Sequence, residues 1–173
     1  MADVLVQVVD EHDRPVNGAT KDEIWKQGHW HRIVRIMVED AQGRLLLQKR
    51  APHKQPYPDR WDNSAAGHVD QNETYEAAAR RELAEELGIE RAELEPVDTF
   101  KSQKMYEWRK LNRFNKTFRV VVNPNEVHVD DPDIAEVRWM TIPDIRQLIA
   151  EHPDKVTDGL RDAIARYYTI NST

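Results

Sequence analysis

From residue 73 to 87 an apolar side chain recurs every four positions, at Ala79, Leu83 and Leu87, among charged neighbours, and Gly88 follows at once. A repeat near 3.6 residues predicts an amphipathic helix with one buried stripe, and a glycine just past the last buried position marks its end. One such helix cannot cover its own stripe and needs a second layer to pack against. The flanking sequence supplies it. Apolar runs at 4–9 and 33–38 precede the helix, and runs at 97–100, 117–122 and 136–140 follow it, all reading as strands. Strands on both sides of a central helix predict an α/β fold, a sandwich around a mixed sheet.

Local signals fill in the rest. Thr20 and Glu23 make a capping-box pair ahead of a short helix containing Ile24 and Trp25. The turn Asp40-Ala41-Gln42-Gly43 folds residues 33–50 into a hairpin. Pro52, Pro56 and Pro58 then exclude a regular element for about fourteen residues, and this expected loop is locally basic, with Lys49, Arg50, His53, Lys54 and Arg60. Thr141 with Pro143 opens a helix to about residue 150, and a last helix carries Leu160, Ile164 and Tyr167. No repeat, low-complexity tract or linker divides the 173 residues, so a single domain is expected over 1–173, with 1–28 as an N-terminal extension and 29–168 as the core.

Composition excludes several chemistries. There is no cysteine, which removes disulfides, thiolate metal sites and thiol nucleophiles. With 25 Lys and Arg against 31 Asp and Glu, the net charge of −6 argues against a nucleic-acid polymer or an anionic membrane as partner. A small anionic ligand needs only a local basic pocket or metal ions. No apolar run is long enough to span a bilayer, and the start of the chain lacks a signal-peptide layout, so a cytoplasmic location is expected.

The chemistry concentrates on the central helix. Glu82, Glu85 and Glu86 lie within an arc of about 100° on one helix face. Oxygen ligands so grouped suit hard cations such as Mg²⁺ or Mn²⁺, which neutralise and orient a diphosphate and activate water. Arg81 offers a bidentate fork to one of these carboxylates or to a phosphate. An acidic helix face taken alone is usually a solvated one. The flanking residues reverse that reading, because Gly67, Glu73, Arg81, Glu82, Leu83, Glu85, Glu86, Gly88 and Ile89 stand at fixed intervals.

That pattern over 67–89 is the complete Nudix box, and the chain resembles the Nudix superfamily. The resemblance implies an α/β/α sandwich with the box as loop–helix–loop, and a divalent-metal hydrolase that cleaves a nucleoside diphosphate linked to another group. It gives metal-ligand roles to Glu82, Glu85, Glu86 and the carbonyl of Gly67, with one of these glutamates, not decided by the sequence, as general base. Arg81 orients the carboxylates and Glu73 supports the helix or loop. The stretch from Leu45 through Arg50, Lys54, Pro58 and 61–68 is also similar to type I isopentenyl-diphosphate isomerases. In that branch the positions of Arg50 and Lys54 handle the substrate diphosphate, and those of His31 and His68 help hold a metal.

The isomerases, however, use a cysteine just before the box glycine, where this chain has Ala66. They usually carry a degraded box, whereas this one is intact, and the carboxylate they present across the site has no match in 112–117. The chain is closer to isomerase-like bacterial hydrolases that share the N-terminal extension. Isomerisation and non-catalytic nucleotide binding stand as the alternatives. The substrate is expected to be a small-molecule diphosphate contacted by Arg50, Lys54 and His68, with specificity in 103–114. Nothing in the sequence decides between monomer and homodimer. Glu107 and Glu136 are candidates for an extra carboxylate. The spacing of His29, His31 and His53 is too irregular for a zinc set. Trp30, Trp61, Trp108 and Trp139 read as core or lid, with Trp61 and Trp108 in expected loops.

Overall fold

A computed structural model of the protein describes residues 3–169, so positions 1–2 and 170–173 of the expected single domain lie outside the described residues. The fold is α/β, with antiparallel strand pairs and, among the described residues, four α-helices. The chain gathers into two compact units that interleave in sequence. One takes in the chain up to Ile36, Ala66–Glu82 and Leu94–Arg119, and the other Met37–Ala65, Leu83–Glu93 and the chain from Val120 onward.

In the first unit, β1 (Val6–Val9) pairs antiparallel with β2 (Pro15–Ala19), and its Val8 meets His31 at the start of β3 (His31–Glu39). Strand β2 was not expected from sequence. Its Val16 is exposed, so no buried alternation announces it, and the register with β1 makes it a strand. Helix α1 (Lys21–Gln27) begins with the expected capping box: Thr20 accepts from the Glu23 N–H while Glu23 reaches back to Thr20. Two long strands, β7 (Glu95–Tyr106) and β8 (Arg109–Val121), pair antiparallel with Tyr106 opposite Arg109. They replace the shorter runs expected there and turn most of 103–114 into strand. Charged and polar residues interspersed along both strands interrupt the apolar pattern that would announce their length.

In the second unit, β4 (Leu45–Arg50) pairs antiparallel with the end of β3, with β5 (Trp61–Asp62) and along its whole length with β9 (Ile134–Met140). Strand β5 corrects the expectation of a loop at Trp61, whose ring is buried with Met37, Leu45, Leu47, Ile145, Val156, Leu160, Ala163 and Ile164 in one apolar cluster. Helices α3 (Ile142–Glu151) and α4 (Asp158–Tyr167) supply four of the nine residues in that cluster and are capped by Thr141 and Thr157. No helix among the described residues is long and apolar enough to cross a membrane.

The short strand β6 (Ala65–His68) leads through a turn into α2 (Tyr75–Leu87), which starts two residues later than periodicity predicted because Glu73 is drawn into the preceding turn. The predicted stripe is buried, with Ala79, Leu83 and Leu87 all at 2% exposure or less. Gly88 ends the helix at φ +66°, and a Cβ there would lie 2.7 Å from the His128 carbonyl oxygen. Gly43 has φ +75° with nothing near its missing Cβ. Gly88→Ala therefore meets both backbone strain and a clash, whereas Gly43→Ala meets strain alone. The expected losses in urea denaturation are about 2–3 kcal/mol for Gly88→Ala and about 1 kcal/mol for Gly43→Ala. Equal losses would mean that His128 yields freely.

Candidate active site

Arg81 is the node of the box in the first unit. Its Nε and Nη2 donate to the two carboxylate oxygens of Glu73 at 3.0 and 2.9 Å, its Nη2 also reaches the His68 carbonyl at 3.0 Å, and its Nη1 donates to Glu82 Oε1 at 2.7 Å. Glu73 in turn accepts the Asp70 N–H at 2.9 Å, which fixes the turn that launches α2. One guanidinium thus ties the strand end, the turn and the helix. Burial pushes the Glu73 carboxyl up, but the Arg81 hydrogen bonds, the Asp70 N–H and the Arg81 charge outweigh it and leave the group below its usual range. The same hydrogen bonds to Glu73 come first in holding Arg81 charged against burial, and the charges of Glu82 and Asp70 add to them.

Gly67 is required by space. A Cβ built on it would fall 2.0 Å from Glu82 Oε1, so the Glu82 carboxylate occupies the volume a side chain would take. Glu82 is only 8% exposed, its carboxylate lodged between the backbone of β6 and Arg81. Residues three and four apart share a helix face, so Glu85 and Glu86 lie on the same side of α2. Glu85 is exposed, and in the second unit Glu86 accepts from Gln48 Nε2 at 2.7 Å, which also bonds the Ser64 carbonyl. Among the described residues no three His, Asp or Glu side chains already form a closed metal cluster. The donor set is nonetheless chemically suited to a hard cation: carboxylates and a backbone carbonyl, with no thiolate. The Gln48 contact with Glu86 could not be read from the sequence, since nothing in the local pattern of β4 sets that residue apart.

The expected diphosphate contacts lie in the second unit and are already engaged. Arg50 donates to the Pro56 carbonyl at 2.9 Å and pairs with Asp62 at 3.4 Å. Lys54 and His53 both bond Asp133, a partner the sequence did not suggest because it lies some eighty residues away. The Lys54 hydrogen bond is the first cause of the low position of the Asp133 carboxyl, which burial opposes and His53 reinforces. Glu107 pairs with Arg109 at 2.6 Å and Glu136 with Arg138 at 2.5 Å, so both proposed extra carboxylates already have cationic partners.

His31 and His68 come together in the first unit, with ring centroids 5.3 Å apart and planes at 21°. His31 is fully buried. Its Nδ1 lies 3.0 Å from the His29 carbonyl, which only accepts, so Nδ1 carries the proton and Nε2 is an acceptor with no partner. Burial first, with the Arg113 charge adding, holds His31 down to about 3. The unfolded histidine takes up a proton near 6.5, so the unfolded chain binds more protons between these values and stability falls as pH drops through that window.

Two outcomes follow. Gly67→Ala should displace the Glu82 carboxylate and lower turnover by about a hundredfold, equivalent to about 3 kcal/mol of transition-state stabilisation, while circular dichroism stays native. Unimpaired turnover would show that Glu82 relocates harmlessly. In denaturation at pH 7, 6 and 5, His31→Phe should flatten the acid side of the stability curve by about 1 kcal/mol per pH unit relative to wild type. Parallel curves would mean that His31 protonates without penalty.

The NUDIX domain family model matches residues 29–161. Isopentenyl-diphosphate Delta-isomerase 2 of Photorhabdus laumondii is 34% identical over 164 residues, covering 90% of this chain and 87% of its own. A prenyl-diphosphate phosphatase of Methanosarcina mazei is 25% identical over 171 residues, covering 95% of each chain. Among solved structures, DR0079 from Deinococcus radiodurans superposes with a TM-score of 0.79 at 26% identity, covering 95% of this chain and 99% of its own. These matches run through the strands, the box and the helix whose geometry is described above, and on that span the chain belongs to the Nudix family.

Proposed function

We propose that the protein is a divalent-metal-dependent pyrophosphohydrolase that cleaves the diphosphate linkage of a small molecule of the type nucleoside diphosphate linked to another group. The observation that carries this reading is the fixed Glu82 carboxylate, seated in the space of the Gly67 side chain and held by Arg81, with Glu85 and Glu86 on the same face of α2. Glu82, Glu85, Glu86 and the Gly67 carbonyl would hold Mg²⁺ or Mn²⁺, which supplies positive charge to the diphosphate and lowers the pKa of a water.

The chain's own residues do the rest. Arg81 holds and aims Glu82, with Glu73 fixing the guanidinium from behind. Gln48 holds one Glu86 oxygen, which restricts that carboxylate to one rotamer range. Glu85, exposed on the helix, would accept a proton from the attacking water. Arg50 and Lys54 would exchange Asp62 and Asp133 for the oxygens of the diphosphate.

The isomerase name of the Photorhabdus relative supports a second reading, in which the substrate is an isoprenoid diphosphate. Ala66 opposes proton transfer of the isomerase kind, since no thiol stands before Gly67. Hydrolysis of an isoprenoid diphosphate would need no such thiol, and the phosphatase name of the Methanosarcina relative fits it.

A screen with Mg²⁺ and Mn²⁺ over nucleoside di- and triphosphates, dinucleotides, nucleotide sugars and isoprenoid diphosphates tests the proposal. Phosphate or nucleotide release is expected for at least one nucleotide compound, and Glu85→Gln should reduce it by about a hundredfold or more with the fold retained. Unchanged turnover in Glu85→Gln, or conversion of isopentenyl to dimethylallyl diphosphate without hydrolysis, would overturn it. Tight nucleotide binding without cleavage across the panel would point to a sensing module.

A further inference from the structure

The first strand lies ahead of the matched Nudix span, yet it is bonded directly to the box. The Gln7 N–H donates to the Val69 carbonyl at 2.9 Å and the Gln71 N–H to the Leu5 carbonyl at 2.8 Å. Those two bonds flank the antiparallel pair Val6–Asp70, as a ladder requires. On its other side Val69 donates to the Arg32 carbonyl of β3 at 3.1 Å. The backbone between Gly67 and Glu73 is therefore seated between β1 and β3.

The Gln7 side chain extends this seat. It is 3% exposed in a strand whose other residues are valines. A buried amide is costly unless its polar atoms are bonded. Here the nitrogen donates to the Val8 and Asn17 carbonyls at 2.8 and 3.0 Å, and the oxygen accepts the Asn72 N–H at 2.9 Å. Carbonyls only accept, so the amide has one orientation, with its oxygen toward Asn72. Asn72 has φ +68°, and the turn it forms closes by the Glu73 N–H donating to the Asp70 carbonyl at 2.9 Å. A residue with a Cβ holds that backbone only where its surroundings impose it. Gly18, opposite Gln7 in β2, makes room beside the turn: a Cβ there would fall 2.4 Å from Gln71 Oε1.

A second hold lies just beyond the turn. Asp13, between β1 and β2, accepts the Tyr75 hydroxyl at 2.9 Å on one carboxylate oxygen and Arg32 Nε at 2.7 Å on the other. The Arg32 guanidinium also lies 4.8 Å from the Tyr75 ring, which anchors the first residue of α2. Between these two holds stands Glu73, whose carboxylate fixes Arg81, which in turn aims Glu82.

We infer that the N-terminal extension is a working part of the box, with Gln7 and Asp13 as positioning residues that set the Glu82 carboxylate through the turn Asp70–Glu73 and Arg81. The inference deepens the hydrolase reading and rests on it for the purpose of that carboxylate, which is to hold a divalent cation. Neither residue touches the cation or the substrate. Each acts on the turn from which Glu73 reaches Arg81.

The test uses the full chain and two readouts, of which the first needs no metal. Nitrogen NMR follows hydrogen exchange of the Arg81 Nε–H, and calorimetry follows the binding of Mn²⁺ alone. Gln7→Met and Tyr75→Phe are compared with Thr20→Ala, which removes the cap of α1 in the same extension. Gln7→Met should speed Arg81 exchange about tenfold or more and weaken Mn²⁺ binding about tenfold, and Tyr75→Phe should act in the same direction. Thr20→Ala should lower the melting temperature yet leave both readouts within about twofold of wild type. Wild-type Arg81 exchange in Gln7→Met would overturn the inference. So would an equal effect in Thr20→Ala, because the readouts would then report stability and not position. Absence of Mn²⁺ binding by wild type would overturn the hydrolase reading, and Arg81 exchange would then decide the inference by itself. If Gln7→Met does not fold, Tyr75→Phe and the wild-type Asn72 amide decide: the Asn72 N–H should be protected from exchange, and exchange at the rate of an unstructured amide refutes the hold by Gln7.

Discussion

The guanidinium of Arg81 bonds four oxygens drawn from a strand end, a turn and a helix. Glu73, Glu82 and the strand end beside Gly67 take their positions from this arrangement. The Glu73 carboxylate is spent on it and on the Asp70 N–H, which is why α2 begins at Tyr75 and not at Glu73. Glu82 is aimed by it at the backbone of Gly67, where the absence of a side chain leaves room for a carboxylate. A partly buried cation bound to two carboxylates and a carbonyl gains strength from its low-dielectric surroundings only while every partner remains in place. A lysine at this position would supply charge without the planar fork that reaches several oxygens at once.

The helix was legible because its signal is redundant. Periodicity, a terminal glycine and the spacing of acidic residues all mark the same fifteen or so positions, and burial of Ala79, Leu83 and Leu87 follows directly. The Thr20–Glu23 cap and the helix after Thr141 were equally local and equally readable. Strands β2, β5 and the outer halves of β7 and β8 were not. Their side chains are polar, exposed or too few to show the alternation that announces a strand. Trp61 illustrates the difficulty: three prolines nearby announce a loop, yet the ring fills an apolar core built by α3 and α4 much later in the chain.

For the site, the box residues were recovered by spacing, whereas their partners were not. Gln48 on Glu86 and Asp133 on Lys54 are contacts across dozens of residues and leave no mark on local composition. The arginines of β3 and β8 are a related case. Read along the chain they look like the polar half of an exposed strand, and only the hydrogen bond from Arg35 to Asn115 and the burial of both residues reveal that they face inward. Charge in a sequence is ambiguous between a solvated face and an inward one, and burial resolves the ambiguity.

The pairing of Lys54 and His53 with Asp133 has a consequence for how an anion arrives. Because the loop already holds a carboxylate, capture of a diphosphate there, as proposed, would be an exchange of one anion for another and not the filling of a bare positive pocket. The field that the loop projects into solvent is correspondingly weak. Long-range attraction should contribute little to the encounter rate, and ionic strength should affect association less steeply than the number of basic residues in the loop suggests. Discrimination would then arise at contact, where a polyvalent anion able to bridge Arg50 and Lys54 displaces a monovalent carboxylate and a simple salt ion does not.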